Sequence, residues 1–301
     1  MAPPLGELSA KLTEGALPIS SGPLRPLQGH LPQRGRLLFQ LLKDRQTKMK
    51  KLIFFKNTDK VCDETMMILA LESSATACSA ALTRDGELVA QTYQNSGLTH
   101  SRTLLPMVHD MLKNCGEQLE DVDVIAVAAG PGSFTGLRIG VATAKGLAWA
   151  GDKDCAPCST LESMAWPLAH LSGKVIVCAM DARRKQVYNA LFLAEGENLK
   201  RLTPDRAISL EELGKELENY KNSKIVVGDG AKLCYNTLME QGIELELAPR
   251  PLWMQNAWGV ARAAEELAAR SALVKGGDLV PMYHRLSQAE RERLEREKEN
   301  K

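Results

Sequence analysis

The chain has 301 residues, with 38 Lys+Arg against 37 Asp+Glu, 44% apolar and 25% charged side chains. This mix belongs to a globular protein able to bury the core of one large domain or two lobes. Residues 1–65 carry a local charge of +5 and the remaining 236 a charge of −4. The body therefore lacks the basic face that a stand-alone nucleic-acid binder needs, and any such contact is expected to come through a partner.

Seven cysteines, odd in number and irregular in spacing, argue against a disulfide framework and for a reducing compartment. Cys155-Ala-Pro-Cys158 has the spacing of a redox or zinc pair, but no second Cys/His pair follows at a zinc-ribbon interval, so it reads as structural. No apolar run approaches the roughly 20 residues of a membrane span. The first residues lack the order of a signal peptide, and a cytoplasmic location is expected.

Residues 1–65 stand apart. Six of the 14 prolines precede residue 33, which rules out a continuous helix and leaves too few periodic apolar positions for a core. Translation starting near Met49, Met66 or Met67, with an artefactual or disordered extension upstream, is one reading; a functional basic tail is the other. From Met67 the pattern becomes orderly. Met67–Leu71, Thr76–Leu82 and Leu88–Thr92 read as strands, the last two joined at Arg84-Asp85-Gly86-Glu87, where Asp-Gly signals a hairpin. His100–Lys113 has helical period, although Pro106 should delay or kink it. Val122–Ala129 reads as a strand, Phe134–Ala150 and Leu161–His170 as helices.

The alternation then repeats. Lys174–Ala179, Val187–Leu193 and Ile225–Gly228 read as strands, and Leu210–Leu217, Leu233–Gln241 and Ala257–Leu273 as helices. Hairpins followed by alternating helices predict an α/β fold of two lobes with mixed sheets. The expected division is an N-terminal lobe over 66–172, a second lobe with returning C-terminal helices over 173–286, and a charged tail over 287–301.

Gly130-Pro131-Gly132-Ser133-Phe134-Thr135-Gly136-Leu137-Arg138 follows a strand and opens a helix, where backbone N–H groups can hold an anion. It is neither a Walker A loop nor a dinucleotide fingerprint, so a tight turn and an anion site both remain open. Within the helix, Gly136, Gly140 and Ala144 recur every four residues, with Leu137, Val141, Leu147 and Ala148 beside them. Such a stripe serves either the core or a partner's helix approaching at 8–10 Å. With Leu104, Leu105, Val108 and Leu112 of the preceding helix it could form half of a helical bundle between subunits.

Several segments together resemble the TsaB family: Ile68-Leu69-Ala70-Leu71-Glu72-Ser73-Ser74, His100-Ser101 with Leu104-Leu105-Pro106, and Gly130 through Lys145. Asp181-Ala182-Arg183-Arg184 with Val187-Tyr188, Val227-Gly228-Asp229-Gly230 and Pro281-Met282-Tyr283-His284-Arg285 match as well. The resemblance runs from about Met67 to about Glu290. It implies the duplicated ASKHA fold of actin, Hsp70 and sugar kinases, and pairing through two N-terminal helices with TsaD. TsaD is the catalytic subunit that places a threonylcarbamoyl group on adenosine 37 of tRNAs reading codons that begin with A. It also implies TsaE as a further partner, tRNA contact only through the complex, and a homodimer through the same face when the chain is alone. The interface expected is Leu104, Leu105, Val108, Leu112, Gly136, Gly140, Val141 and Ala144.

The TsaD-like members carry His-x-x-x-His for a metal. Here Leu104 stands four residues after His100, and His109 is nine positions on. No metal site is expected. Kinases of the implied fold place an acidic residue at the end of the first strand, usually Asp, and Glu72 stands there. With Gly130, Gly132 and Ser133 it is the candidate phosphate or nucleotide contact, for ATP or ADP shared with the TsaD partner. Asp181-Ala182-Arg183-Arg184 reads as a charged turn, and no nucleophile set is present. The chain thus reads as a non-catalytic subunit. An ASKHA ATPase or phosphotransferase acting alone is the alternative, and a metallopeptidase is disfavoured by the missing histidine.

Overall fold

The computed structural model describes residues 65–183 and 185–284, together with Arg296. Expectations for residues 1–64, and for the tail but for Arg296, lie outside the described residues. Met67–Glu72 (β1), Cys78–Arg84 (β2) and Glu87–Gln94 (β3) form an antiparallel meander. Asp85 and Gly86 between β2 and β3 have φ of 51° and 81°, both left-handed, as an Asp-Gly hairpin requires. Val124–Gly130 (β4) and Asp154–Ser159 (β5) add in parallel on the other side of β1.

The second sheet repeats this plan. Val175–Asp181 (β6) pairs antiparallel with Gln186–Ala194 (β7), which is followed by Leu199–Arg201 (β8) and Arg206–Ser209 (β9). Lys224–Val227 (β10) and Glu246–Leu247 (β11) add in parallel beyond β6. The orders are β12-β5-β4-β1-β2-β3 and β11-β10-β6-β7-β8, where Val274–Lys275 (β12) only caps the first sheet. Without that cap the two lobes share one topology, the mixed-sheet duplication expected of an ASKHA fold.

Helices His100–Cys115 (α1) and Phe134–Gly151 (α2) cover the outer face of the first sheet. Thr160–Ala165 (α3) packs on the inner face of the second sheet. Leu210–Leu217 (α4) and Ala231–Glu240 (α5) cover its outer face. Ala257–Ala269 (α6) returns to the inner face of the first sheet, so α3 and α6 lie between the sheets. They meet closely, since a Cβ on Gly259 would overlap the Ser163 carbonyl oxygen.

Three expectations need correction. Pro106 neither delays nor ends α1, which runs unbroken from His100; Pro106 lies on the exposed side of the helix. The helix expected over Leu161–His170 stops at Ala165, and a 3-10 turn over Trp166–Leu168 carries Pro167. The expected helix over Ala257–Leu273 ends at Ala269, where Ser271 takes a left-handed φ of 53° and the chain enters β12.

Candidate functional site: a sealed inter-lobe cleft and an open helical face

The candidate nucleotide residues meet where β1 and β4 end. Glu72 is fully buried. The chain turns sharply beyond it, and the Ser74 N–H donates to Glu72 Oε1 at 2.5 Å. The Ser74 carbonyl accepts the Ser133 N–H at 2.7 Å, and a Cβ on Gly132 would stand 2.6 Å from that same oxygen. Ser133 caps α2 by accepting the Gly136 N–H. Gly130, at φ 144°, lies against the Met282 carbonyl, and Met282 N–H donates to Ala129 O at 2.7 Å. Gly130 and Gly132 are therefore glycines because backbone comes within contact on both sides. The Ser133 N–H expected to serve a phosphate together with Gly130 and Gly132 is thus engaged by a carbonyl oxygen.

The second lobe supplies the opposing wall. The Asp181 carboxylate accepts the Arg183 N–H at 2.7 Å, and Arg183 and Lys185 hold left-handed φ of 62° and 58°. This is the charged turn expected from the sequence. Gly228 takes φ 120° against the Ala179 carbonyl, and Gly230 N–H donates to that oxygen. Between the walls runs the segment leading into α6. Gln255, 1% exposed, donates through Nε2 to Asp229 Oδ1 at 3.1 Å, and Ala257 N–H donates to Ser79 Oγ at 2.8 Å. Burial pushes the Glu72 carboxyl up to about 7, with Asp229 adding to it and the Ser74 hydroxyl and amide opposing. Burial likewise raises Asp229.

The expected interface residues fall on the wrong sides of their helices. Leu104, Val108, Leu112, Val141 and Ala144 are buried in the first lobe's own core. Gly136 and Gly140 face Ser73, whose hydroxyl donates to the Gly136 carbonyl. The small-residue stripe thus lets α2 approach its own β1–β2 turn rather than a partner. Of the eight residues only Leu105 is exposed. The outward side of α2 instead carries Arg138, Ala142, Gly146, Trp149 and Ala150. Trp149 is 90% exposed, and nothing lies within 4 Å of where a Gly146 Cβ would be. A cleft of about 900 Å³ is lined by Leu105, Pro106, His109, Leu112, Leu119 and Leu147, among others. Ala142, Gly146 and Ala150 are also four apart, a second small-residue stripe on the opposite, outward side of the same helix.

The family profile described as TsaD: tRNA N6-adenosine threonylcarbamoyltransferase matches residues 94–288. The tRNA threonylcarbamoyladenosine biosynthesis protein TsaB of Bacillus subtilis is 32% identical over 241 residues, which is 77% of this chain and all of that protein. The chain belongs to the TsaB family. YeaZ from Pseudomonas aeruginosa superposes with a TM-score of 0.63 at 26% identity, over 72% of this chain and 99% of YeaZ. A tRNA N6-adenosine threonylcarbamoyltransferase from Geotalea uraniireducens is 33% identical, but over only 28% of this chain and 29% of that enzyme.

Within this TsaB chain, the position one helical turn after His100 belongs to the core. Leu104 is 1% exposed, and His100 Nε2 lies 2.8 Å from the Ala75 carbonyl, tying α1 to the β1–β2 turn. Cys155 and Cys158 point to opposite faces of β5, one in each hydrophobic cluster of the first lobe. Burial pushes the Cys155 thiol up to about 11 and Cys158 well above the usual range. They are packing residues in a strand.

Proposed function

We propose that this TsaB chain is a non-catalytic subunit in the formation of threonylcarbamoyladenosine at position 37 of tRNA, docking its α1–α2 face on a TsaD catalytic subunit and allowing TsaE to join. The observation that carries the reading is Trp149, almost wholly in solvent on the outer side of α2, with a separate apolar cleft along α1 that reaches Leu147 of the same helix. An exposed apolar patch rimmed by charged residues is the mark of a protein interface, and Trp is the commonest anchor in one. Ala142 and Gly146 beside it permit close approach of another helix. The tRNAs would be those reading codons that begin with A, and they would be met through the complex. Left alone, the same face would pair with a second copy of the chain.

The reading is tested by co-purification with TsaD. Trp149→Ala should weaken pairing by about 2 kcal/mol or more, roughly thirtyfold in Kd, with an unchanged Tm. Gly146→Leu should act the same way, because its side chain projects outward. Undiminished pairing by both variants would remove this face from consideration. Threonylcarbamoyl transfer to tRNA by the purified chain alone would end the non-catalytic reading.

A further inference from the structure

The segment 276–284 that follows β12 lies as a strap along α2. A Cβ on Gly276 would stand 3.2 Å from Ala148 Cβ, and Gly277 O accepts from Lys145 Nζ at 3.1 Å. At the other end Tyr283 stacks on Phe134 with 4.7 Å between ring centroids, and its hydroxyl accepts from Arg138 Nε at 3.1 Å. With about 100° of turn per residue, these four contact residues of α2 share an arc of only about 80°. Trp149, Ala142 and Gly146 come next around the helix, at about 60°, 80° and 120° from Phe134, and Leu147 of the α1 cleft stands at about 220°. The buried Leu137, Gly140 and Ala144 close the circle. The outward stripe of α2 is thus a floor of small residues, with the strap on one flank and the α1 cleft on the other.

The strap adds apolar surface to this floor. Leu279 enters the first lobe's core at 1% exposure, and in an extended chain the next side chain turns away from the core. That side chain is Val280, 59% exposed, while Tyr283 is 43% exposed. We propose that the strap is the second wall of the docking channel, and that Val280 and the open edge of Tyr283 pack on the same partner helix that covers Ala142 and Gly146. The occupant is an α-helix of TsaD with an apolar face. Nothing lies within 4 Å of where a Gly146 Cβ would be, and a floor of small residues lets a second helix axis come within about 8–10 Å. An extended strand would instead need free backbone N–H and C=O groups, which α2 spends within itself. Large apolar side chains on both flanks of one stripe make a continuous patch, which singly scattered surface residues do not. The strap's role presupposes that α2 docks on TsaD, as proposed above, and extends that face by a segment from the far end of the chain.

Affinity for TsaD, measured on the full chain, is the test. Val280→Asp should weaken pairing by about tenfold or more in Kd, since a carboxylate would be buried without a partner. Its Tm should stay at the wild-type value, because the side chain lies outside the core. Leu233→Asp, at a comparably exposed apolar position on α5, should pair like wild type. The Val280 and Tyr283 amides should also exchange more slowly with solvent once TsaD is added. Normal pairing by Val280→Asp, while Trp149→Ala pairs weakly, would overturn the wall and leave the docking face standing. Normal pairing by both variants would remove the face itself, and the strap with it. Equal losses in Val280→Asp and Leu233→Asp would also overturn the wall, because any added charge would then suffice. So would exchange at Val280 and Tyr283 that TsaD does not slow.

Discussion

At Gly140 an added Cβ would stand 2.5 Å from Ser73 Oγ and 3.3 Å from Val127 Cγ2. Neither can retreat, because Ser73 Oγ is bonded to the Gly136 carbonyl and Val127 lies within β4. Gly140→Leu should therefore destabilise the monomer by about 1–3 kcal/mol or more, lowering Tm by roughly 2–4 °C for each kcal/mol in a chain of this size. Gly146→Leu, six residues on, should leave Tm within about 1 °C. A thermal melt of the two variants side by side checks both. This pair also marks how far the sequence could be read at the site. Small residues four apart announce that something comes close to a helix, but not whether it is the chain's own turn or another subunit. Only the β1–β2 turn folding back under α2 decides between the stripes. Glu72 shows the same limit: its place at a strand end was legible, while its complete burial was not.

Elements defined by local chemistry were legible, and those defined by neighbours were not. The β2–β3 hairpin follows from Asp85-Gly86. The expected bounds of α4 match because Ser209 and Glu212 form a capping box ahead of an apolar stripe. By contrast β5 escaped, since Pro157 and two cysteines resemble a loop or a motif; the strand exists because β4 and β12 offer it edges. The segment after β12 is a similar case. It has no regular pattern, yet it runs along α2: Gly277 O accepts from Lys145 Nζ, Leu279 enters the core, and Tyr283 stacks on Phe134 at 4.7 Å while accepting from Arg138 Nε. This strap holds the β4–α2 turn in place through Met282. Leu279→Ala should cost about 2–4 kcal/mol in global stability, read as a lower urea midpoint at unchanged slope. A loss below about 1 kcal/mol would mean that the strap merely rests on the surface.

Across the whole molecule, five layers alternate: α1 and α2, the first sheet, α3 with α6, the second sheet, then α4 and α5. The repeated strand order explains why hairpin-then-helix patterning in each half of the sequence was enough to predict two lobes. The layering, with α6 returning to the first lobe, could not be seen there, because periodicity says which face is apolar but not which sheet will cover it. Charge operates at this largest scale. A body at −4 repels a polyanion, and attraction would have to come from the +5 of residues 1–65. Binding by counterion release weakens steeply with salt in proportion to the phosphates neutralised. The full chain should therefore bind tRNA alone with Kd weaker than about 100 μM at 0.15 M salt, below ordinary non-specific affinity. Whatever binding appears at 0.05 M salt should vanish in a chain starting at Met66, which keeps every described hydrophobic cluster. Gel-shift titrations of both chains at the two salt concentrations make the comparison. Low-micromolar binding by the shorter chain at the higher salt would show that this subunit carries its own tRNA surface and does not depend on a partner for one.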